Sequence, residues 1–233
     1  MKKYYEAYEE RYKKIHLEEN TSWADEKPSE IILELLLKYG ANRSSKILEI
    51  GCGEGQNAIY LLTNGLNVVA TDVSPEAISW CKKQCKQNKL SDSNFFVLDA
   101  LDNDLDEKFD YIYSVSTLHM LVKNEDRNRF LEFVSTHLNA NGKAIITIMG
   151  DGINEKNNSD ITKSFDLIER DFKGKTVSVA STSCRIVNWT TFLKELSTAH
   201  LTIIDKFNTD RIMGFNNSMV VVCSKENENL QIS

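Results

Sequence analysis

Three glycines and one carboxylate carry the strongest chemical signal in the sequence. Gly51, Gly53 and Gly55 follow a short apolar run and precede a helical pattern of apolar residues. Glycines at the end of a first parallel strand let the backbone approach a ligand closely, and the N–H groups that open the next helix favour an anionic group of that ligand. Asp72 ends the next apolar run, where a carboxylate can accept hydrogen bonds from both vicinal hydroxyls of a ribose. The pattern predicts a nucleoside site.

Two later strand ends extend this site. Asp99 follows the apolar run 95–98, and its carboxylate can accept a hydrogen bond from an exocyclic amine such as the amino group of adenine. Ser114 lies at the end of the run 109–115. Because ligands of parallel α/β sheets bind at the carboxyl ends of the strands, these ends are expected to border one extended nucleoside.

The glycine spacing separates two classes of ligand. A dinucleotide fingerprint is GxGxxG, and Gln56 stands where its third glycine would be. The glycines fall instead at every second position, which disfavours an NAD-dependent oxidoreductase.

The predicted elements place these residues on one sheet. Strands and helices alternate as far as residue 150, which calls for parallel strands joined by right-handed crossovers. The last two strands, 201–207 and 218–223, are too close for a crossover helix, so the final strand is predicted to be antiparallel. The predicted fold class is α/β: a three-layer, Rossmann-like sheet of about seven mostly parallel strands with an antiparallel C-terminal hairpin strand, helices on both faces and an N-terminal helical lid. Helices are predicted over 2–17, 29–39, 75–88 and 124–138, and one is predicted to begin after Asn188.

One main domain with accessory segments is predicted. Residues 1–40 form the helical lid and residues 41–225 the main domain. Residues 151–187 form a polar insertion on the substrate side, a loop with one helix around 165–172. Residues 226–233 form a frayed tail.

Composition narrows the class of protein. The net charge of -6 argues against a protein that binds nucleic acid through a large basic surface. The five cysteines include no CxxC pair, which favours a reduced, cytoplasmic setting over a disulfide framework, and no metal site is predicted. The charged N-terminus has no apolar secretion segment, and no apolar run is long enough to span a bilayer. We therefore expect a cytoplasmic monomer or homodimer that binds neither nucleic acid nor membrane.

Four segments together resemble the class I S-adenosylmethionine-dependent methyltransferase family. They are ILEIGCGEG at 47–55, VVATDVSPEAI at 68–78, FFVLDA at 95–100 and FDYIYSVSTLHML at 109–121. The resemblance implies S-adenosyl-L-methionine as the cofactor and methyl transfer as the reaction. It also implies the antiparallel final hairpin that the strand spacing predicts.

The resemblance implies a role for individual residues. Those expected to contact the methionine half of the cofactor are Glu49, Gly51, Cys52, Gly53, Gly55 and Ser114. Asp72 would hold the ribose and Val73 would pack on the adenine, while Asp99 and Ala100 would meet its amino edge. The alternative is that Asp72 and Asp99 only cap helices, and that Glu49 pairs with local backbone donors.

The acceptor is less well specified than the cofactor. The fourth strand lacks the Asn/Asp-Pro-Pro-Tyr motif of enzymes that methylate exocyclic amines of bases or amides. The N-terminal pattern YEERY, Trp23 and KPSEIILELL resembles small-molecule methyltransferases of the thiopurine and tellurite-resistance kind, whose N-terminal segment closes over the ligands. The N-terminal helix carries an aromatic stripe, and we expect Tyr8 and Tyr12 beside the acceptor and Trp23 beside the cofactor; the alternative is that the stripe only packs on the main domain. Methyl transfer to a small molecule is therefore expected, with a protein or RNA methyltransferase or a non-catalytic cofactor-binding module as alternatives.

Four further residues are candidates for the acceptor site. His119 lies just beyond the fourth strand and is the candidate general base, with local packing as the alternative. Arg185, Arg211 and Phe215 lie in C-terminal loops that should close the same edge of the sheet.

Overall fold

The computed structural model describes residues 2–19, 21–23, 27–158 and 160–225. The tail predicted at 226–233 lies outside the described residues. The α-helices are α1 Ala7–Lys14, α2 Ile31–Lys38, α3 Gln56–Thr63, α4 Pro75–Gln87, α5 Asn124–His137 and α6 Trp189–Thr198. The strands are β1 Lys46–Ile50, β2 Asn67–Asp72, β3 Phe95–Val97, β4 Phe109–Val115, β5 Leu138–Met149, β6 Lys156–Asn158, β7 Leu167–Phe172, β8 Lys175–Ala180, β9 Cys184–Ile186, β10 Leu201–Thr209 and β11 Ser218–Lys225.

The main sheet has the predicted topology. Its seven strands run in the order β10-β11-β5-β4-β1-β2-β3. Strands β3, β2, β1, β4 and β5 pair in parallel, while β11 pairs antiparallel with both β5 and β10. The carboxyl ends of β1, β2, β3 and β4 therefore meet at one edge, and the predicted α/β fold class is confirmed.

Alternating side chains of the strands build two apolar layers. Leu48 and Ile50 of β1 join the core cluster that contains α5 and α6, whereas Ile47 joins the cluster that contains α2, α3 and α4. Successive side chains of a strand point to opposite faces, so a strand covered on both faces is apolar almost throughout. β1 is apolar at every buried position except Glu49.

The region 151–187 corrects one prediction. The helix expected around 165–172 is wrong, because residues 167–172 form β7, which pairs antiparallel with β8. Lys173 and Gly174 make the two-residue turn, with φ of 52° and 79°. Two positive φ values are typical of a hairpin turn whose twist matches its strands, and glycine supplies one of them without strain.

The N-terminal segment packs on this hairpin. We call the described residues between 2 and 23 the lid; they include a 3-10 turn Tyr4–Glu6, then α1, then a π-helical turn Ile15–Glu19. Ile15 shares a small apolar cluster with Phe172, Val177 and Val179 of the hairpin. The lid and the hairpin therefore have a core of their own.

No helix in the described part of the chain is long and apolar enough to cross a membrane.

Helix α6 offers a direct test of the fold. Asn188 Oδ1 accepts a hydrogen bond from Thr191 N at 2.9 Å and so caps the first turn. We expect Asn188→Ala to lower the free energy of unfolding by about 1 kcal/mol, because an N–H group at the helix start loses its partner. Urea denaturation measures the change, and Asn188→Asp, which keeps an accepting oxygen, should restore most of the loss. Equal losses in both variants would contradict the capping role.

Candidate functional site

A cavity of about 560 Å³ opens at the carboxyl edge of the main sheet. Its walls come from the ends of β1, β2 and β4, from the segment after β3, from the lid and the hairpin, and from the loop between β10 and β11. Cavities of this size hold ligands of drug-like dimensions.

The glycine loop forms the floor of the cavity. Gly51, Gly53 and Gly55 all have positive φ, of 74°, 55° and 85°. A Cβ at Gly51 would overlap the Thr117 side chain, and one at Gly55 would lie 2.8 Å from Cys81 Sγ. Only glycine satisfies both the backbone conformation and the space, so the spacing read from the sequence has a structural cause.

Asp72 ties the glycine loop to the next helix. Its Oδ2 accepts a hydrogen bond from Gly53 N at 2.8 Å, and its Oδ1 accepts one from Ser74 N at 2.9 Å. Burial of the carboxyl group raises its pKa to about 6. The residue lines the cavity as well, so the local contacts and a ligand contact are compatible.

Glu49 brings a buried carboxyl group to the cavity wall. The residue is 1% exposed, and its Oε2 has no hydrogen-bond partner among the described residues. Burial raises its pKa to about 8, because a charged carboxylate loses its hydration in the apolar layer. An unpaired buried oxygen at a cavity wall is costly unless a ligand donates to it.

Residues of the lid contact the carboxylate of Asp99. Lys3 Nζ lies 2.6 Å from its Oδ2 and Tyr5 Oη donates to the same oxygen at 3.0 Å, while Leu101 N donates to Oδ1 at 3.0 Å. Asp99 lines the cavity with Ala100, but its side chain anchors the lid.

Most of the predicted cofactor contacts come together. The following line the cavity: Trp23, Glu49, Gly51, Cys52, Gly53, Asp72, Val73, Asp99 and Ala100. Within the described residues, Gly55 and Ser114 do not. Ser114 is buried, and its hydroxyl donates to Ile50 O at 2.9 Å, which joins β4 to β1 behind the cavity.

His119 is buried outside the cavity lining. Burial, with the nearby Arg127 charge, lowers its pKa to about 4, so the ring is neutral near pH 7. Its Nδ1 is 3.5 Å from Met149 N and its ring meets Phe215 edge-on. These surroundings match the packing alternative better than a general base in contact with a ligand.

The remaining acceptor candidates divide into two groups. Tyr8, Tyr12 and Phe215 line the cavity. Arg185 lies outside the lining and donates to Val122 O at 3.2 Å, and Arg211 pairs with Glu34 at the surface.

Several wall residues had no recognised signal in the sequence. Ser116 and Thr117 follow β4, and Asp171, Phe172 and Lys173 come from the hairpin. The Lys173-Gly174 pair, which precedes the alternating segment 175–180, could have indicated the turn and hence the hairpin. Nothing in the sequence indicated the contact of Thr117 with Gly51, because it joins two different strand ends.

His16 joins the lid to the glycine loop. Its Nε2 lies 2.6 Å from Glu54 Oε1, and its Nδ1 lies 2.9 Å from Glu76 Oε1 at the start of α4. Burial alone would lower the pKa of His16, but the hydrogen bonds and charges of the two carboxylates outweigh it, and the pKa is raised. The Trp80 ring stacks on the imidazole at 4.1 Å.

The comparisons with known proteins agree with this geometry. Residues 47–142 match the methyltransferase domain family. The chain is 28% identical over 102 residues to a probable S-adenosyl-L-methionine-dependent methyltransferase, TehB, of Haemophilus influenzae, and the match covers 43% of this chain and 35% of that relative's length.

Two solved structures share the fold. An S-adenosylmethionine-dependent methyltransferase from Clostridium acetobutylicum has a TM-score of 0.66 at 19% identity, with 92% of this chain and 96% of that chain covered. The glycopeptide N-methyltransferase MtfA in complex with S-adenosyl-L-methionine has a TM-score of 0.63 at 15% identity, with 85% and 94% covered. The family match over residues 47–142 and the shared fold support a class I S-adenosylmethionine-dependent methyltransferase, with S-adenosylmethionine as its cofactor.

The residues present fit that cofactor. The glycine loop leaves room for close backbone approach, Asp72 carries a carboxylate, and the unpaired Glu49 Oε2 suits an ammonium group. The adenine contact expected of the Asp99 side chain would compete with Lys3 and Tyr5, since both already approach its Oδ2.

Proton release tests the proposed contact of Glu49. With a pKa of about 8, Glu49 is mostly protonated at pH 7 in the free protein. An ammonium group held against it would favour the ionised form, so we expect up to about one proton to be released when S-adenosylhomocysteine binds. Calorimetry in two buffers of different ionisation enthalpy measures the release. Glu49→Gln should bind without it, and equal release from both proteins would refute the assignment.

The pH dependence of binding tests Asp72. Asp72→Asn should weaken binding of S-adenosylhomocysteine about tenfold at pH 8, where the wild-type carboxylate is charged. Below its pKa of about 6 the wild-type group is protonated, so the difference between the two proteins should shrink at pH 5. Titrations of both proteins at both pH values separate this effect from other titrating groups, and a difference independent of pH would exclude a charged contact.

Proposed function

We propose that this protein transfers a methyl group from S-adenosylmethionine to a small-molecule acceptor. The observation that carries the proposal is the lid, which covers the carboxyl edge of the sheet where the cofactor of this family would bind. A cavity of about 560 Å³ under a lid favours an acceptor that can be enclosed over a polymer that must lie across the surface.

Contacts at both ends of the lid support an enclosed site. At its start, Tyr4 Oη donates to Asp126 Oδ2 at 2.6 Å, and Lys3 approaches Asp99. At its end, His16 contacts Glu54 and Glu76. These contacts fix the lid to several elements of the main domain, so a large acceptor would have to displace all of them.

Aromatic rings of the lid suit a cationic cofactor. Bound S-adenosylmethionine would supply a methyl group on a positively charged sulfur. Tyr8, Tyr12 and Trp23 line the cavity, and aromatic faces attract positive charge. Arg11 lies over the rings of Tyr8 and Trp23 at 4.8 Å each and donates to Ala180 O, so it holds two of these rings in place.

The chain's contribution to the reaction is chiefly orientation and exclusion of water. The candidate base His119 is neutral and lies outside the cavity lining. Methyl transfer has no obligatory acid or base, and holding two reactants in line supplies up to roughly 7–11 kcal/mol of the barrier reduction. An acceptor that is already nucleophilic at the working pH would need no proton transfer by the protein.

Labelled cofactor tests the proposed function. The protein would be incubated with S-adenosylmethionine carrying a radioactive methyl group and with a cell extract separated into small-molecule, protein and RNA fractions. We expect the label to enter the small-molecule fraction, and Asp72→Ala to reduce its rate because the cofactor binds less well.

Other outcomes distinguish the alternatives. Label in the protein or RNA fraction would favour a macromolecular acceptor, and binding of S-adenosylhomocysteine without any transfer would favour a non-catalytic module. NAD serves as the control ligand and should not bind. The cytoplasmic location, the lack of nucleic-acid binding and the monomeric or dimeric state stay predictions.

A further inference from the structure

Ser116 lies in the cavity wall directly after β4. Its N–H donates to both Thr147 O and Thr147 Oγ1 of β5, each at 3.1 Å. Its φ is 57°, in the left-handed region that residues other than glycine rarely adopt. The hydrogen bonds that the Ser116 N–H donates to the neighbouring strand therefore hold this residue in an unfavourable conformation.

The Ser116 hydroxyl is a buried polar group without a partner. Its Oγ is enclosed and makes no hydrogen bond within the described residues. Lys173 is the other non-glycine residue of positive φ in the described cavity lining, and the hairpin turn accounts for its conformation. No turn of this kind accounts for Ser116, and backbone strain of this kind concentrates at functional sites.

The topology places Ser116 away from the nucleoside end of the cavity. Asp72 and Asp99 lie at β2 and after β3, on one side of β1, whereas β4 lies on the other side next to β5. Residues of the wall at this other side include Thr117, Met120 and Phe215, which carry no charge. A hydrogen bond made in such surroundings is stronger than one in water.

We propose that the Ser116 hydroxyl binds the methyl acceptor, through a polar group next to the atom that receives the methyl group. The inference rests on the proposed function and adds a binding residue to it. A cofactor that extended from Asp99 to the glycine loop would leave the wall at the end of β4 for the acceptor. Ser116 lines that space, and its enclosed hydroxyl lacks a hydrogen-bond partner that a bound acceptor would supply.

Ser218 provides a matched control. Its hydroxyl is also buried and without a partner in the described part of the chain, but it lies on β11 and outside the cavity lining. Ser218→Ala thus removes a hydroxyl of the same kind where no acceptor is expected. Ser116→Ala removes the hydroxyl and keeps the strained backbone, and Ser116→Gly also relieves the strain.

The experiment uses the labelled S-adenosylmethionine assay with the small-molecule fraction, together with calorimetry of S-adenosylhomocysteine and thermal melting. We expect Ser116→Ala to lower the rate of labelling about tenfold while its affinity for S-adenosylhomocysteine stays within about twofold of wild type. Ser116→Gly should lose labelling to the same degree yet melt at a higher temperature than Ser116→Ala. Ser218→Ala should label at the wild-type rate.

Three results would overturn the inference. Labelling by Ser116→Ala at the wild-type rate would mean that the hydroxyl does not contact the acceptor. Weaker binding of S-adenosylhomocysteine to both Ser116 variants would assign the hydroxyl to the cofactor. If the wild-type protein itself labels no small molecule, the proposed function fails, and that result is distinct from a failure confined to Ser116.

Discussion

The cavity depends on one buried carboxylate. Asp72 accepts hydrogen bonds from Gly53 N and Ser74 N, so a single side chain at the end of β2 holds both the glycine loop after β1 and the start of α4. Its burial raises its pKa to about 6, because a buried carboxylate loses the water that would hydrate its charge. The two backbone donors offset part of this penalty and leave a carboxylate at the cavity wall.

The lid and the hairpin pack together through apolar side chains, whereas the lid contacts the main domain chiefly through polar side chains. Between themselves they pack apolar side chains such as Ile15 and Val179, and Arg11 bridges them. Toward the main domain, the lid makes many polar contacts, of which His16 with Glu54 and Glu76 is an example. Because the pKa of His16 is raised, the stabilisation from this contact is fullest below the unfolded-state pKa and declines as pH rises through the folded-state value.

Several features could be predicted because their causes are local. Apolar periodicity gave the helices and strands of the main domain, since each element buries one face or both. The glycine spacing and Asp72 indicated the cofactor site, because the required positive φ values leave few alternatives to glycine. The hairpin was missed because β7 is mostly exposed, with little alternation in its burial, and its stability comes from the lid rather than from its own sequence.

The residues of the candidate site also divide into those that the sequence indicated and those that only the structure revealed. The wall residues Gly51, Gly53 and Asp72 belong to one short stretch and were found together. Ser116 was not recognised, because its conformation results from hydrogen bonds to Thr147, which is distant in sequence and adjacent in the sheet. The structure was also needed to show which predicted residues line the cavity. Ser114 in β4 and His119 shortly after it are close to Ser116 in sequence, but both lie outside the cavity lining.

The sequence by itself determined the fold class and the resemblance to methyltransferases that points to the cofactor, since strand–glycine–helix spacing is a property of neighbouring residues. Only the tertiary structure decided which side chains face the cavity and what covers it. The Asp99 carboxylate shows the reason: its position at a strand end was readable, but its engagement by Lys3 and Tyr5 depends on how the lid packs. Contacts between segments far apart in the chain are set by the packing of whole elements, which no single stretch of sequence encodes.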